Sequence, residues 1–282
     1  MLEAIVLAIV AGYVAVQLRR EPRPARFVGR LLLTAAAGAV AETSCIRMYG
    51  FYAYDAGWRL WLDRVPLAVA LVWPVVIHSA SQLAGALLSP TARAPSRLRS
   101  LVTGLLVLTD AAFIEPVAVH AGLWRWTEPG VFGVPTIGVL GWAFFAAACA
   151  AFFDLAEATT DRLARALRMA SAAGLVVVST HAALLATWWG LLRRLPPTAP
   201  EAWVAATAWA LSAGLLTIVR RRRPGARIPP VVLLLRVPAA GFFVALLALH
   251  WPETVDLPLY AAAFVPPYVL MTAQSLGRRQ NL

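Results

Sequence analysis

Nine ionisable side chains stand inside, or at the ends of, stretches that are otherwise strongly apolar: Glu42, Arg47, His78, Asp110, Glu115, Asp154, Glu157, His181 and Arg236. At the centre of a membrane helix such a group costs roughly 2.5 kcal/mol or more on insertion scales, so each is by default a functional position. Glu42, Asp110 and Glu115 carry the chemistry of most interest. A carboxylic acid in apolar surroundings can keep its proton and deliver it to a base as weak as an alkene. The cation so formed needs π-faces and a controlled water. Tyr52, Tyr54, Trp124 and Trp126, in two aromatic loops, can supply the faces or exclude solvent.

These residues need membrane helices to position them. The chain has 282 residues, 60% of them hydrophobic, and no polar half that would form a soluble domain. Its mean hydropathy of +0.71 belongs in a bilayer. A membrane helix takes roughly 20 mostly apolar residues. That length picks out nine spans, near 2–18, 30–48, 65–88, 100–121, 134–156, 169–192, 202–219, 229–250 and 257–276, with eight or seven if an end span is not inserted. The first is read as a retained span because no small-residue cleavage site follows it. The reading is therefore one integral-membrane domain over 1–282, an all-α polytopic bundle, with a catalytic part at 30–157 and supporting spans at 169–276.

All 25 basic residues are arginine, and the formal charge is +11. Eighteen fall in alternate loops, five in the others, and Arg47 and Arg236 lie within spans. By the positive-inside rule this puts the N-terminus outside and the C-terminus in the cytoplasm, as in a multi-pass protein of a prokaryotic inner membrane. The basic excess is thus a topology signal, with no nucleic-acid partner implied. The partners expected are membrane lipids and a lipophilic substrate.

In that threading Glu42, His78 and Asp110 lie near mid-membrane, with Glu115 in the outer half. On an ideal helix Asp110 and Glu115 point about 140° apart, but Pro116 can kink the helix and turn both inward. Blander roles compete. Glu42 and Arg47 make a structural ion pair in one of them. Asp154, Glu157 and Arg236 snorkel to the cytoplasmic face, and His181 is a hydrogen-bonded packing residue. The four histidines stand singly, and Cys45 and Cys149 sit in apolar runs, so no metal or disulfide is expected. No GxxxxGK[ST], GxGxxG or GxSxG occurs, which removes nucleotide, dinucleotide and serine-hydrolase readings and leaves no cofactor implied. A transporter or lipid-binding scaffold is disfavoured by the absence of paired interrupted helices in two corresponding halves.

Two segments carry a resemblance. Glu42 with Tyr49-Gly-Phe-Tyr-Ala-Tyr54, then Val65-Pro66-Leu67 and Val72-Trp73-Pro74, is one. Asp110 through Glu115-Pro116-Val117, Gly122-Leu123-Trp124-Arg125-Trp126, Gly133-Val134-Pro135 and Leu140-Gly141-Trp142 is the other. Together, over roughly 42–145, they resemble the integral-membrane carotenoid 1,2-hydratases of the bisanhydrobacterioruberin hydratase type. The family tends to have Asp where this chain has Glu115, and a polar Asn before the Gly-Trp where this chain reads Thr136-Ile137-Gly138. The resemblance implies a polyene or polyprenoid substrate and addition of water to a terminal trisubstituted alkene. Glu42, Asp110 and Glu115 are then the catalytic candidates, with Glu115 or Asp110 as proton donor and Glu42 as orienting group or base. Tyr52, Tyr54, Trp73, His78, Trp124, Trp126 and Trp142 are the substrate-binding candidates. A cyclase sharing the protonation step is the alternative, made more plausible by loss of the polar position.

Overall fold

The computed structural model describes residues 1–88, 96–221 and 228–277. The Arg93, Arg222, Arg223, Arg227, Arg278 and Arg279 positions used for topology lie outside them, and the side chains of Arg220 and Arg221 are likewise not described. All nine expected spans fall on helix: α1 (Leu2–Leu18), α2 (Pro24–Tyr49), α3 (Leu67–Leu87), α4 (Ser96–His120), α5 (Thr136–Glu157), α6 (Arg162–Gly190) and α7 (Glu201–Arg221), then two interrupted pairs, α8 (Pro230–Leu234) with α9 (Val237–Leu249) and α10 (Asp256–Ala262) with α11 (Val265–Gly277). Six segments among the described residues are long and apolar enough to cross a membrane, namely α2 to α6 and the α8–α9 pair; α1 is apolar but shorter. The protein is an all-α multi-pass membrane protein.

Helices α2 and α6 begin earlier than the apolar pattern does. An apolar window stops at the first arginine, whereas backbone hydrogen bonding continues through it, so Arg26 and Arg30 on α2 and Arg162, Arg165 and Arg168 on α6 are helical. Proline sets both late interruptions. Pro238 stands in the first turn of α9, just past the break at Leu235–Arg236, and Pro266-Pro267 open α11. The ring disfavours helical backbone in the residue before it and removes a donor, so a helix restarts at such a point.

Helices α2 to α6 close a ring: α2 packs on α3, α3 on α4, α4 on α5, α5 on α6, and α6 returns to α2. Its core is built on small side chains, with Ala37, Ala41, Ala80, Ala146, Cys149 and Ala172 buried around Phe153. Small residues let backbones approach closely where lipid supplies no hydrophobic drive between helices. Helix α1 lies against α3, α9 against α4, and α7 against α10 and α11.

The two aromatic loops fold over the ring. Strand β1 (Tyr52–Tyr54) pairs antiparallel with β4 (Trp124–Trp126), Tyr52 opposite Trp126 and Tyr54 opposite Trp124. Strand alternation puts these four rings on one face and Arg125, which is exposed, on the other. A second short hairpin, β2 (Trp61–Leu62) with β3 (Val65–Pro66), turns at Asp63, whose φ is 57°. Arg47 is bonded to Asp63 across this turn, at 3.0 Å through Nε, so the expected Glu42–Arg47 ion pair is not formed. At the opposite end of the ring, Arg30 bridges Asp154 at 3.0 Å and Glu157 at 3.2 Å, joining α2 to the end of α5.

Two interior arrangements hold the outer helices to the ring. Pro116 cannot donate to the carbonyl of Ala112, one helical turn before it. That carbonyl instead accepts the Tyr260 hydroxyl of α10 at 2.8 Å. Arg236, at the α8–α9 break, is largely enclosed, its side chain 11% exposed, and paired with Asp110 of α4; its Nη1 also donates to Ser79 Oγ of α3 at 2.8 Å, and its guanidinium stands 5.6 Å from the Tyr268 ring of α11. Arg236 does not snorkel: with a proline-set break at its own position, it serves as an internal counter-ion. Removing one member of a buried pair leaves an uncompensated charge, at about 3–5 kcal/mol. Arg236→Leu alone should therefore lower the melting temperature in detergent sharply, and Asp110→Leu with Arg236→Leu should recover most of the loss.

Candidate active site

A cavity of about 180 Å³ opens inside the ring beneath the β1–β4 ladder. Its walls come mainly from α2, α3, α5 and the two aromatic loops, with residues of α1, α4, α6 and α9 completing it. Helices outside 30–157 thus contribute wall, including Phe242 and Phe243 of α9. Two carboxylates face this otherwise apolar space: Glu42, 8% exposed, and Glu115, 3% exposed.

Each carboxylate is held by three aromatic side chains. Glu42 Oε1 accepts the indole N–H of Trp73 at 2.5 Å, and its Oε2 accepts the hydroxyls of Tyr54 and, at 3.3 Å, Tyr52. Glu115 Oε2 accepts Trp124 at 2.8 Å and Trp126 at 3.0 Å, and its Oε1 accepts Trp142 at 2.7 Å. Among the described residues neither carboxylate has an ion pair. Burial first, and then the nearby Glu42, hold the Tyr52 and Tyr54 hydroxyls well above the ordinary phenol range, so both keep their protons.

The two sets of donors also touch ring to ring. Tyr52 packs on Trp126 with centroids 4.8 Å apart, Tyr54 on Trp124 at 5.8 Å, and Trp73 on Trp142 at 4.6 Å. Every donor to Glu42 is therefore matched with a donor to Glu115. The ladder register makes the first two contacts, and the packing of α3 and α5 makes the third.

Two glycines make the arrangement possible. A Cβ at Gly38 on α2 would come within 2.9 Å of the Trp73 indole, and one at Gly138 on α5 within 2.5 Å of Trp126. Both are helical positions where any side chain would displace a ring that donates to a carboxylate. Neither was singled out from sequence. The available signal was, for Gly38, glycine in the middle of an apolar helix, where it costs stability and so marks a close approach; Gly138 stands in the first turn of α5 and carried no such mark.

The structure brings together Glu42, Glu115, Tyr52, Tyr54, Trp73, Trp124, Trp126 and Trp142 of the sequence candidates. It does not bring in Asp110 or His78. Asp110 faces the opposite side of α4, toward Arg236, because α4 runs on as one helix through Pro116 and keeps the angular offset from Glu115. His78 faces α1, its Nδ1 2.8 Å from the Tyr13 hydroxyl and its ring against Phe27. Tyr13 is in turn 3.4 Å from Gln17, which exchanges amide contacts with Gln82. His181 fits its packing role: its two ring nitrogens lie 2.7 Å from Ser44 Oγ and 2.8 Å from the Tyr49 hydroxyl, tying α6 to α2. Among the described residues no cluster of His, Cys, Asp and Glu is gathered that could hold a metal ion.

A protein-family model described as "Carotenoid biosynthesis protein" matches residues 2–221. The chain belongs to the carotenoid biosynthesis protein family. This family membership gives the protein a role in carotenoid metabolism, and the matched region carries both carboxylates and all six of their aromatic donors. Nothing matches among curated proteins, and no solved structure matches. The helices from α8 onward, which supply Arg236, Phe242, Phe243 and Tyr260, lie beyond the matched residues.

Removing one donor should be costly where the carboxylate it serves is buried. Trp142→Phe keeps the ring but leaves Glu115 Oε1 with no donor, a loss of about 1–3 kcal/mol. Its melting temperature in detergent should fall, while Trp203→Phe, at an exposed position on α7, should leave it unchanged. Gly138→Ala should act through Trp126, shifting tryptophan fluorescence and destabilising by about 1–3 kcal/mol through overpacking.

Proposed function

We propose that this carotenoid biosynthesis protein adds water across a terminal alkene of a polyene or related polyprenoid, by acid catalysis within the Glu42–Glu115 cavity. One observation carries the reading: two carboxylates without a counter-cation among the described residues face one apolar, aromatic-walled cavity inside a membrane bundle. Protonation of a trisubstituted alkene demands an acid shielded from bulk water, a tertiary cation demands nearby negative charge and π-faces, and a single controlled water completes the addition. The substrate lies in the bilayer, the expected setting being the cell membrane of a prokaryote.

The size of the cavity supports reaction at a chain end. An apolar cavity of about 150 Å³ admits benzene, so one of about 180 Å³ admits a terminal group of several carbons, not a whole polyene. The remainder of the chain must then stay among the helices and lipids. Phe242 and Phe243 on α9, with Val6 and Ile9 on α1, extend the apolar lining in that direction.

The test is mass spectrometry of lipid extracts from a polyene-producing host with and without the protein. The expected result is a product heavier by one water, carrying one carbon-bound deuterium when cells are grown in heavy water, and absent in Glu42→Gln. An isomeric product would replace hydration by cyclisation through the same cation. An unchanged profile, with the protein properly inserted, would remove the hydratase reading for that substrate.

A further inference from the structure

The two carboxylates have the same number of hydrogen-bond partners but different kinds of partner. An indole N–H only donates, whereas a phenol hydroxyl both donates and accepts. Glu115 is held by three indoles, on both of its oxygens. If Glu115 were protonated, its O–H would find no acceptor among the groups that hold it. Glu42 has one indole, on Oε1, and two phenols, on Oε2. A proton on that Oε2 can be donated to the Tyr54 or Tyr52 oxygen, so Glu42 is satisfied as acid and as carboxylate alike.

From this contrast we infer that Glu42 carries the transferable proton while Glu115 is kept as a permanent carboxylate, the fixed negative charge facing the cation. The inference deepens the hydratase reading and rests on it for its catalytic meaning. The groups around Glu42 are Tyr52, Tyr54 and Trp73, with Cys45 one turn along α2 and Glu115 across the cavity; those around Glu115 are Trp124, Trp126 and Trp142. None is a cation. Two carboxylates on one apolar cavity with no cation between them disfavour double ionisation, and the proton this retains goes to the residue whose partners can receive it.

The steps balance. The Glu42 O–H bond breaks as the alkene π pair forms a new C–H bond, leaving a tertiary carbocation and a Glu42 carboxylate. A water oxygen bonds to the cation, and the proton it sheds returns to Glu42. The sum is one water added, with both glutamates restored and Glu115 unchanged throughout.

The assignment can be tested without substrate. Infrared spectra of the purified full-length protein in lipid nanodiscs at neutral pH should show the C=O stretch of a protonated carboxylic acid, displaced by exchange into heavy water. The band should be lost in Glu42→Gln, persist in Glu115→Gln, and return at a shifted position in Glu42→Asp. Should Glu115→Gln fail to fold, Glu115→Asp takes its place, with the band again expected to persist. A band that survives in Glu42→Gln, is lost in a folded Glu115 variant, or is missing from the wild-type protein overturns the assignment. An unchanged lipid profile alongside the expected spectra would instead sink the hydratase reading and leave the proton on Glu42.

Discussion

A carboxylate without a cation, buried in a membrane bundle, must have its lone pairs satisfied by neutral donors, and much else in this structure follows from that need. Ordinary backbone cannot provide them, because within a helix the N–H groups are already committed. The donors must come from side chains that are themselves at home in hydrocarbon, and here they are the indole N–H and the phenol O–H. Six such groups are gathered here, and gathering them requires a β ladder where a plain turn would have connected the helices. It also requires two helical glycines and a contact between α3 and α5 across the ring through Trp73 and Trp142.

The same bundle meets a partly buried carboxylate in a second way. Asp110 is neutralised by Arg236, with Ser79 and Tyr268 nearby. A charge pair of this kind fixes the relation of one helix to another but consumes the anion, whose field is cancelled at short range. The contrast between Asp110 and Glu115, five residues apart on α4, separates structural from chemical use of the same functional group. On one face of the helix the charge is quenched by an arginine; on the other it is hydrogen-bonded and left electrically uncompensated.

Much of this was legible in the sequence. Span lengths and the rarity of ionisable groups within them located the helices, and the composition of 49–64 and 122–135 marked loops unlike the arginine clusters on the other side. Glu42 and Glu115, with their aromatic partners, could be chosen because each is costly or unusual at its position. Asp110 and His78 satisfied the same criterion equally well. Depth along the membrane normal can be counted from sequence, but rotation about the helix axis depends on how far a proline bends it and on what packs behind, and here it turned Asp110 away. Pairing between β1 and β4 was out of reach for a different reason. Three-residue strands have no periodicity to read, and their register is set by the helices that bring them together.

The hydroxyl that Tyr260 offers to Ala112 ties the site to residues well past the matched region. Residues 2–221 carry the family's sequence pattern and would be a natural boundary for a minimal functional fragment. Yet the carbonyl that Pro116 leaves without a donor, in the helix that bears Glu115, is satisfied by a side chain thirty-nine residues past that boundary. A fragment cut at 221 would expose a bare carbonyl to hydrocarbon in the helix that bears the carboxylate, one turn from it. The last helices are thus part of the scaffold on which the site is built, and shared pattern underestimates the unit that has to fold.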